Sequence, residues 1–429
     1  MRGTFMKKPI ALFAGLAAAA LALAGCSASP ADSEAGKTIE LWTSWTPDTK
    51  PSSELPSKIE EWAEANGYTV NQSNFTYDQI HEKIIASAAG GNLPDVIWGI
   101  PEYVGEFGHL GLLADLTSAW ESWEDAGKVS DSVKEAMSLD GQVVGFPYQT
   151  VTRAYLTHDD MLAEAGIEVP ETWEDVLAVG TDVEDATGNT FYGLTGTGAR
   201  APQELLVYLA QYDLAIADLQ DGGGYRNTWL DNPEDFEKAT KVFQFYKDLL
   251  DSGAVSKNSP TYGWEQTDEN FVTGLNATFV SGNWLASREV SNEESMADIS
   301  VHQIPYPSDG QPATYLEAKP IFVMAGSDSL EASTELALQF ASEDWQTAAW
   351  PTMSALDTVT TDSKWSKDFA ELIDVGISYP PISLGEVTQA MIDSLAMVLQ
   401  NGDSPEDAAN WLSEAINTAL ENSGEAGNN

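Results

Sequence analysis

The chain has 429 residues, 43% of them hydrophobic, with 67 acidic against 20 basic residues and a formal net charge of −47. That length and apolar content suffice for two domains with real cores, while the charge excludes nucleic acid and bare anionic lipid as partners. One cysteine rules out an internal disulfide and, with only four scattered histidines, any usual zinc cluster, so no metal and no cofactor are expected.

Residues 1–25 read as a secretory signal: Arg2, Lys7 and Lys8 precede the apolar run Ile10 to Ala24. That run of about 15 residues is short of the roughly 20 that a membrane-spanning helix needs. Residues 26–37 begin with Cys26 and continue as SASPADSEAGK, a small, polar, flexible tether.

Thr38 to Trp42 alternates and is β-rich, so it reads as a first strand. Leu55, Ile59, Trp62 and Ala63 share a helical face, and Asn66-Gly67 stops that helix. Thr69 to Phe75 reads as a strand, Tyr77 to Ala89 as a helix, and Val96 to Trp98 as a short buried strand. This β-α-β-α-β start predicts a parallel sheet flanked by helices. Asp140-Gly141 is a hairpin turn leading into Val143 to Pro147. Helices are expected over Thr157 to Ala165, Pro170 to Val179, Gln203 to Leu219 and Pro233 to Leu250, with strands at Ala277 to Val280 and Ile321 to Ala325. The remainder reads as helical, ending in Pro405 to Leu420 with Ser404 as its cap.

Enzymatic motifs are missing. Gly193, Gly196 and Gly198 lack the dinucleotide spacing, and neither a Walker loop, H-E-x-x-H nor G-x-S-x-G occurs. Close carboxylate pairs arise by chance among 67 acids, so no catalytic residue is singled out and the chain is expected not to be an enzyme.

An ordered set of segments carries more. These are Leu93-Pro94-Asp95-Val96, Gly111 to Thr117 (GLLADLT), Asp140 to Pro147 (DGQVVGFP), Ala165-Gly166-Ile167 with Pro170 and Thr172-Trp173, Phe271 to Thr278 (FVTGLNAT) and Gly282-Asn283-Trp284. Together they resemble the extracellular solute-binding proteins of ABC importers, in the sugar-binding family that includes maltose-binding protein. Leu275 stands for the family's usual Lys, Thr278 for its Met, and Thr314 to Glu317 where many members have glycines. Leu23-Ala24-Gly25-Cys26 likewise resembles the lipobox of bacterial lipoproteins, which implies lipidation of Cys26.

The resemblance implies an α/β chain with the two-lobed periplasmic-binding-protein-like fold of class II, each lobe a sheet flanked by helices. The expected lobes are residues 39–148 plus 277–325 and residues 149–276 plus 326–429. It also implies a ligand cleft between them that closes by hinge motion. A sugar offers a ring face to aromatic rings and hydroxyls to planar or charged partners. Among 14 Trp and 14 Tyr, the candidates by position are Trp42, Trp45, Trp98, Tyr148, Trp264, Trp284, Trp345 and Trp350, with Glu102, Gln149 and Glu317 as polar partners. Trp62 and Trp411 lie on apolar helical faces and read as core, and Asp95 reads as a structural cap.

The expected function is a lipid-anchored receptor of an ABC importer, on the outer face of the cytoplasmic membrane of a monoderm bacterium. It is expected to be a monomer that captures a neutral oligosaccharide and delivers it to the permease's transmembrane subunits. A receptor for a polyamine, a polyol phosphate or a peptide is the alternative. A phosphate site would need more cations than Arg153 and Arg200. A secreted glycoside hydrolase is the third reading, requiring two carboxyls about 5–10 Å apart across a sugar site.

Overall fold

The computed structural model describes residues 38–44, 54–75, 77–359, 361–362 and 364–427. In chain order the elements that position the site are Thr38–Thr43 (β1), Leu55–Asn66 (α1), Thr69–Asn74 (β2), Tyr77–Gly90 (α2), Val96–Trp98 (β3), Glu102–His109 (α3), Gly145–Val151 (β4), Ala154–His158 (β5), Thr190–Gly193 (β6), Arg200–Ala210 (α4), Pro233–Asp251 (α5), Trp264–Val272 (α6), Asn276–Ser281 (β7), Ile299–His302 (β8), Glu317–Val323 (β9), Leu330–Ala341 (α7), Glu343–Ala349 (α8), Leu384–Ala396 (α9) and Pro405–Ser423 (α10). All belong to one compact unit, Ala35–Asn429.

Two sheets organise that unit. The first has strand order β2-β1-β3-β9-β4, with β1, β2 and β3 parallel and β9 antiparallel to both its neighbours. The second has order β8-β5-β7-β6. The early pattern produced the expected elements for simple reasons. Leu55, Ile59 and Ala63 bury one face of α1, and Gly67 takes φ 75° to end it. Asp140 and Gly141 adopt φ 50° and 80°, the left-handed pair that a two-residue hairpin needs. Asp95 is the structural cap expected: its carboxylate accepts Glu40 N at 2.8 Å and Ser327 Oγ at 2.5 Å. The Ser404 hydroxyl caps α10 by accepting Asp407 N at 3.0 Å.

Four expectations are corrected. Thr157 and His158 are buried strand residues, and the helix begins at Asp159. The helix expected over Gln203 to Leu219 is α4, which stops at Ala210, and Leu214, Ile216 and Ala217 continue as a buried loop. An apolar loop that packs in a core carries the same hydrophobic signal as a helix face. Trp411 is 37% exposed rather than core. The fourth correction concerns the lobes. β7 pairs with β5 and β6 in the second sheet, so residues 276–281 do not belong with the first. Conversely, Leu336, Phe340, Trp345 and Trp350 share the first sheet's core, although residues 326–429 were expected in the second lobe.

The chain therefore crosses between the sheets three times. The first crossing is Thr152–Arg153, between β4 and β5, and the second is Thr314–Leu316, entering β9. The two are tied together: Arg153 N donates to Thr314 Oγ1 at 3.1 Å, and Thr314 Oγ1 donates to Arg153 O at 2.5 Å. The third crossing runs beyond α8, where Thr150 N donates to Met353 O at 2.8 Å and Thr152 Oγ1 donates to Phe369 O at 3.0 Å.

Candidate functional site

Beside the first two crossings lies a small cavity of about 10 Å³, lined among others by Arg153, Arg200, Gln203, Glu204, Tyr208 and Tyr315. Arg153 comes from the crossing itself. Arg200, Gln203 and Glu204 come from the first turns of α4, and Tyr315 from the return crossing.

Both arginines are buried and both are held by carboxylates. Arg153 Nη2 donates to Glu317 Oε2 at 2.9 Å and to Gln203 Oε1 at 3.0 Å. Arg200 Nη1 donates to Asp268 Oδ1 at 2.6 Å. The two guanidinium carbons lie 4.7 Å and 5.1 Å from the ring centre of Trp284, whose Nε1 donates to Asp268 Oδ2 at 3.0 Å. Arg200 also lies 5.7 Å from the ring of Trp264. Desolvated cation–ring contacts of this kind are worth about 2 kcal/mol each.

The acids respond to these neighbours. Burial pushes the Glu204 carboxyl up to about 8, against the opposing pull of Arg200, Thr195 and Arg153. Burial, then the charge of Glu317, pushes Glu102 upward. Burial also acts upward on Glu317, but Lys319 and Arg153 outweigh it and hold that carboxyl below its ordinary range.

A polar chain joins the two sheets. Glu102 Oε1, at the start of α3, accepts Tyr315 Oη at 3.1 Å and Gln203 Nε2 of α4 at 3.4 Å. Lys319 Nζ lies 3.4 Å from Glu317 Oε1 and 6.0 Å from the ring of Trp98. Trp98 packs on Tyr148 at 6.4 Å, and Tyr148 meets Trp350 edge-on at 4.8 Å.

Of the residues singled out by sequence, Glu102, Glu317, Trp264 and Trp284 thus touch residues that line the cavity, whereas Trp98, Tyr148 and Trp350 form one aromatic group buried in the first core, with Lys319 over Trp98. Gln149 is buried beside that group, with Nε2 3.3 Å from Met353 Sδ. Trp345 is a correction: it packs edge-on against Phe340 at 5.0 Å inside the first core. Trp42 is also elsewhere, against Phe75 at 5.3 Å and under Lys83 of α2. Trp45 and Cys26 lie outside the described residues.

Sequence reasoning passed over Gln203, Glu204, Asp268 and Tyr315, and set Arg153 and Arg200 aside. One signal was available for Arg153: cations are scarce in this chain, with 20 against 67 acids, and Arg153 falls just after the expected lobe boundary at residues 148–149. None marked Glu204, which follows Pro202-Gln203 and precedes the run Leu205 to Leu209.

A family model described as bacterial extracellular solute-binding protein matches residues 58–376. An uncharacterized lipoprotein of Streptomyces antibioticus is 27% identical over 157 residues, which cover 36% of this chain and only about a third (34%) of that protein's length. Among solved structures, the GacH receptor of Streptomyces glaucescens, determined alone and with acarbose, matches at a TM-score of 0.75 and 22% identity, over 90% of this chain and 98% of that one. The cyclic alpha-maltosyl-1,6-maltose binding protein of Arthrobacter globiformis matches at 0.72 and 24%, over 90% and 99%. The ABC substrate-binding protein Lmo0181 of Listeria monocytogenes, in complex with cycloalternan, matches at 0.73 and 19%, over 90% and 99%. These likenesses establish the two-lobed fold.

Proposed function

The chain belongs to the bacterial extracellular solute-binding proteins, and from that membership we propose that it is the receptor of an ABC importer that captures an oligosaccharide between its two sheets. The observation that carries the reading is the cavity beside the crossings, where Arg153, Gln203, Tyr208 and Tyr315 offer rings and planar donors together, with Trp284 packed behind Arg153. Aromatic faces and planar hydrogen-bonding groups are what a sugar ring and its hydroxyls require. The similarity to receptors solved with acarbose and cycloalternan supports the same ligand class.

Closure is a rotation about Thr152–Arg153 and Thr314–Leu316, and the closed form is what the permease recognises. The chain performs no reaction on its ligand. Cys26 carries the lipid that keeps the receptor beside the permease, on the outer face of a monoderm membrane, and residues 27–37 give it reach.

A thermal-shift screen tests the reading, since a ligand that binds only the folded state raises Tm. At least one oligosaccharide is expected to stabilise the protein and to be recovered intact. Stabilisation by polyamines alone would overturn the ligand class, and cleavage products would overturn the absence of catalysis.

A further inference from the structure

We propose that the solute is an acidic saccharide, whose sugar carboxylate is received by Arg153 beside Glu204. This rests on the carbohydrate reading above and narrows it.

Arg153 is 5% exposed, with its guanidinium 4.7 Å from the ring of Trp284 and 5.2 Å from that of Tyr315. Its Nη2 is used by Glu317 and Gln203, but Nε and Nη1 are buried with no acceptor. A guanidinium has five donors and nothing to accept with, so only an acceptor can complete it. Buried donors left unmade cost the full desolvation of the group. A sugar hydroxyl supplies one neutral acceptor. A carboxylate supplies two oxygens with about four lone-pair positions, in charge-assisted bonds about twice as strong.

The other charges of the cleft are already paired. Arg153, Arg200 and Lys319 face Glu317 and Asp268, and these two acids are already engaged. Glu317 lies against Arg153 and Lys319, while Asp268 holds Arg200, Ser281 and Trp284. Glu102, held by Tyr315 and Gln203, is a third carboxylate here, so cations and acids are even and what stays unfilled is the pair of free donor positions on Arg153. Repulsion from the distant acids is screened beyond about 8 Å at physiological ionic strength, so the free donors of Arg153 decide.

Glu204 completes the arrangement. It lines the same cavity and is 4% exposed, and neither carboxyl oxygen makes a hydrogen bond of full geometry, Thr195 being its hydrogen-bonding neighbour. Burial lifts it to about 8, so at neutral pH it is an uncharged acid with an O–H to donate. A ligand carboxylate between that O–H and the free N–H groups of Arg153 satisfies all of them at once. This departs from the neutral sugar that the overall charge suggested.

The test compares matched ligands on the purified protein. A thermal-shift panel of maltotriose, cellotriose, tri-galacturonate and a glucuronate-substituted xylo-oligosaccharide is followed by calorimetry of each acid against its methyl ester. An acid binding at least tenfold more tightly than its ester is the expected result. Equal binding of acid and ester, or stabilisation by the neutral sugars alone, overturns the inference and leaves the carbohydrate reading standing. Stabilisation by no saccharide at all overturns that reading and this inference with it. Arg153→Lys keeps a cation for Glu317 and loses the spare donors. With Tm retained, its acid-to-ester preference should fall towards one, and an unchanged preference would remove Arg153 from the role. The wild-type comparison stands even where that variant fails to fold.

Discussion

Arg153 and Trp284 hold each other in place: the guanidinium carbon lies 4.7 Å from the indole ring centre, and the indole N–H is fixed 3.0 Å from Asp268. Asp268 in turn holds Arg200, which covers the same indole at 5.1 Å. Trp284 is therefore a brace for two cations, one of which, Arg153, carries the free donors of the site. Trp284→Ala should weaken saccharide binding at least tenfold, about 1.4 kcal/mol. Calorimetry checks it, and unchanged affinity would remove Trp284 from the site.

Glu204 gives the site a pH dependence of definite sign. Its folded value, about 8, lies above the ordinary 4.5 because burial disfavours the charged form. An acid raised on folding contributes its stability fully below about 4.5, and that contribution is lost as pH rises through about 8. The wild-type Tm should therefore fall between pH 5 and 9, and Glu204→Gln, which keeps the shape without the charge, should flatten that fall. Parallel Tm curves for the two proteins would show that Glu204 is not the group responsible.

Much of this was legible in the sequence, and what was not has a common cause. The strands β1 to β3 and helices α1 and α2 stand where alternation and helical spacing put them, because those signals are local. The sheet to which β7 belongs is not local: the strand Asn276–Ser281 reads the same whether it pairs with β5 or β4. Glu102 and Glu317 were placed by position alone, but their partners Gln203, Tyr315 and Arg153 lie 101, 213 and 164 residues away. Trp345 resembled Trp350 in sequence, yet only Trp350 faces Tyr148, since five residues along a helix end turn the ring to a different neighbour.

A second titrating contact joins α3 to the C-terminal segment. His109, at the end of α3, pairs with Glu425, whose carboxylate also accepts Ser383 N at 3.0 Å and Ser423 Oγ at 2.5 Å. The bond to Glu425 raises the His109 imidazole above 6.5, with burial opposing and Asp140 adding to the rise. Burial acts upward on Glu425, but His109 and Ser423 bring it below 4.5. A raised histidine stabilises fully below about 6.5 and loses its contribution as pH climbs through its folded value; a lowered carboxylate loses its contribution as pH falls through its own. The pair is thus strongest between about pH 4.5 and 6.5. His109→Gln should lower Tm more at pH 5.5 than at pH 8.5, and a uniform loss across that range would contradict an ionic role.

The closest approach of α3 to the second core gives the last prediction. A Cβ on Gly105 would lie 2.4 Å from the backbone N and O of Ile382, far inside contact distance and against main chain that has no rotamer to yield. Ile382 belongs to the core of the second sheet, whereas Tyr103, Val104 and Phe107 of the same helix belong to the first. Gly105 is therefore where the two cores touch through α3, and the helix also carries Glu102 to its contacts with Gln203 and Tyr315. Gly105→Ala must push α3 and the Pro381–Ile382 segment apart, lengthening the Glu102 contacts and widening the cleft. Gly127 has nothing within 4 Å of its Cβ position, so Gly127→Ala is the control. Gly105→Ala should lower Tm by a few degrees, in line with about 1–3 kcal/mol for an overpacked contact. It should also weaken ligand binding by several-fold, while the control changes neither. Equal thermal and calorimetric behaviour of the two variants would mean that the α3 contact does not set the spacing of the lobes.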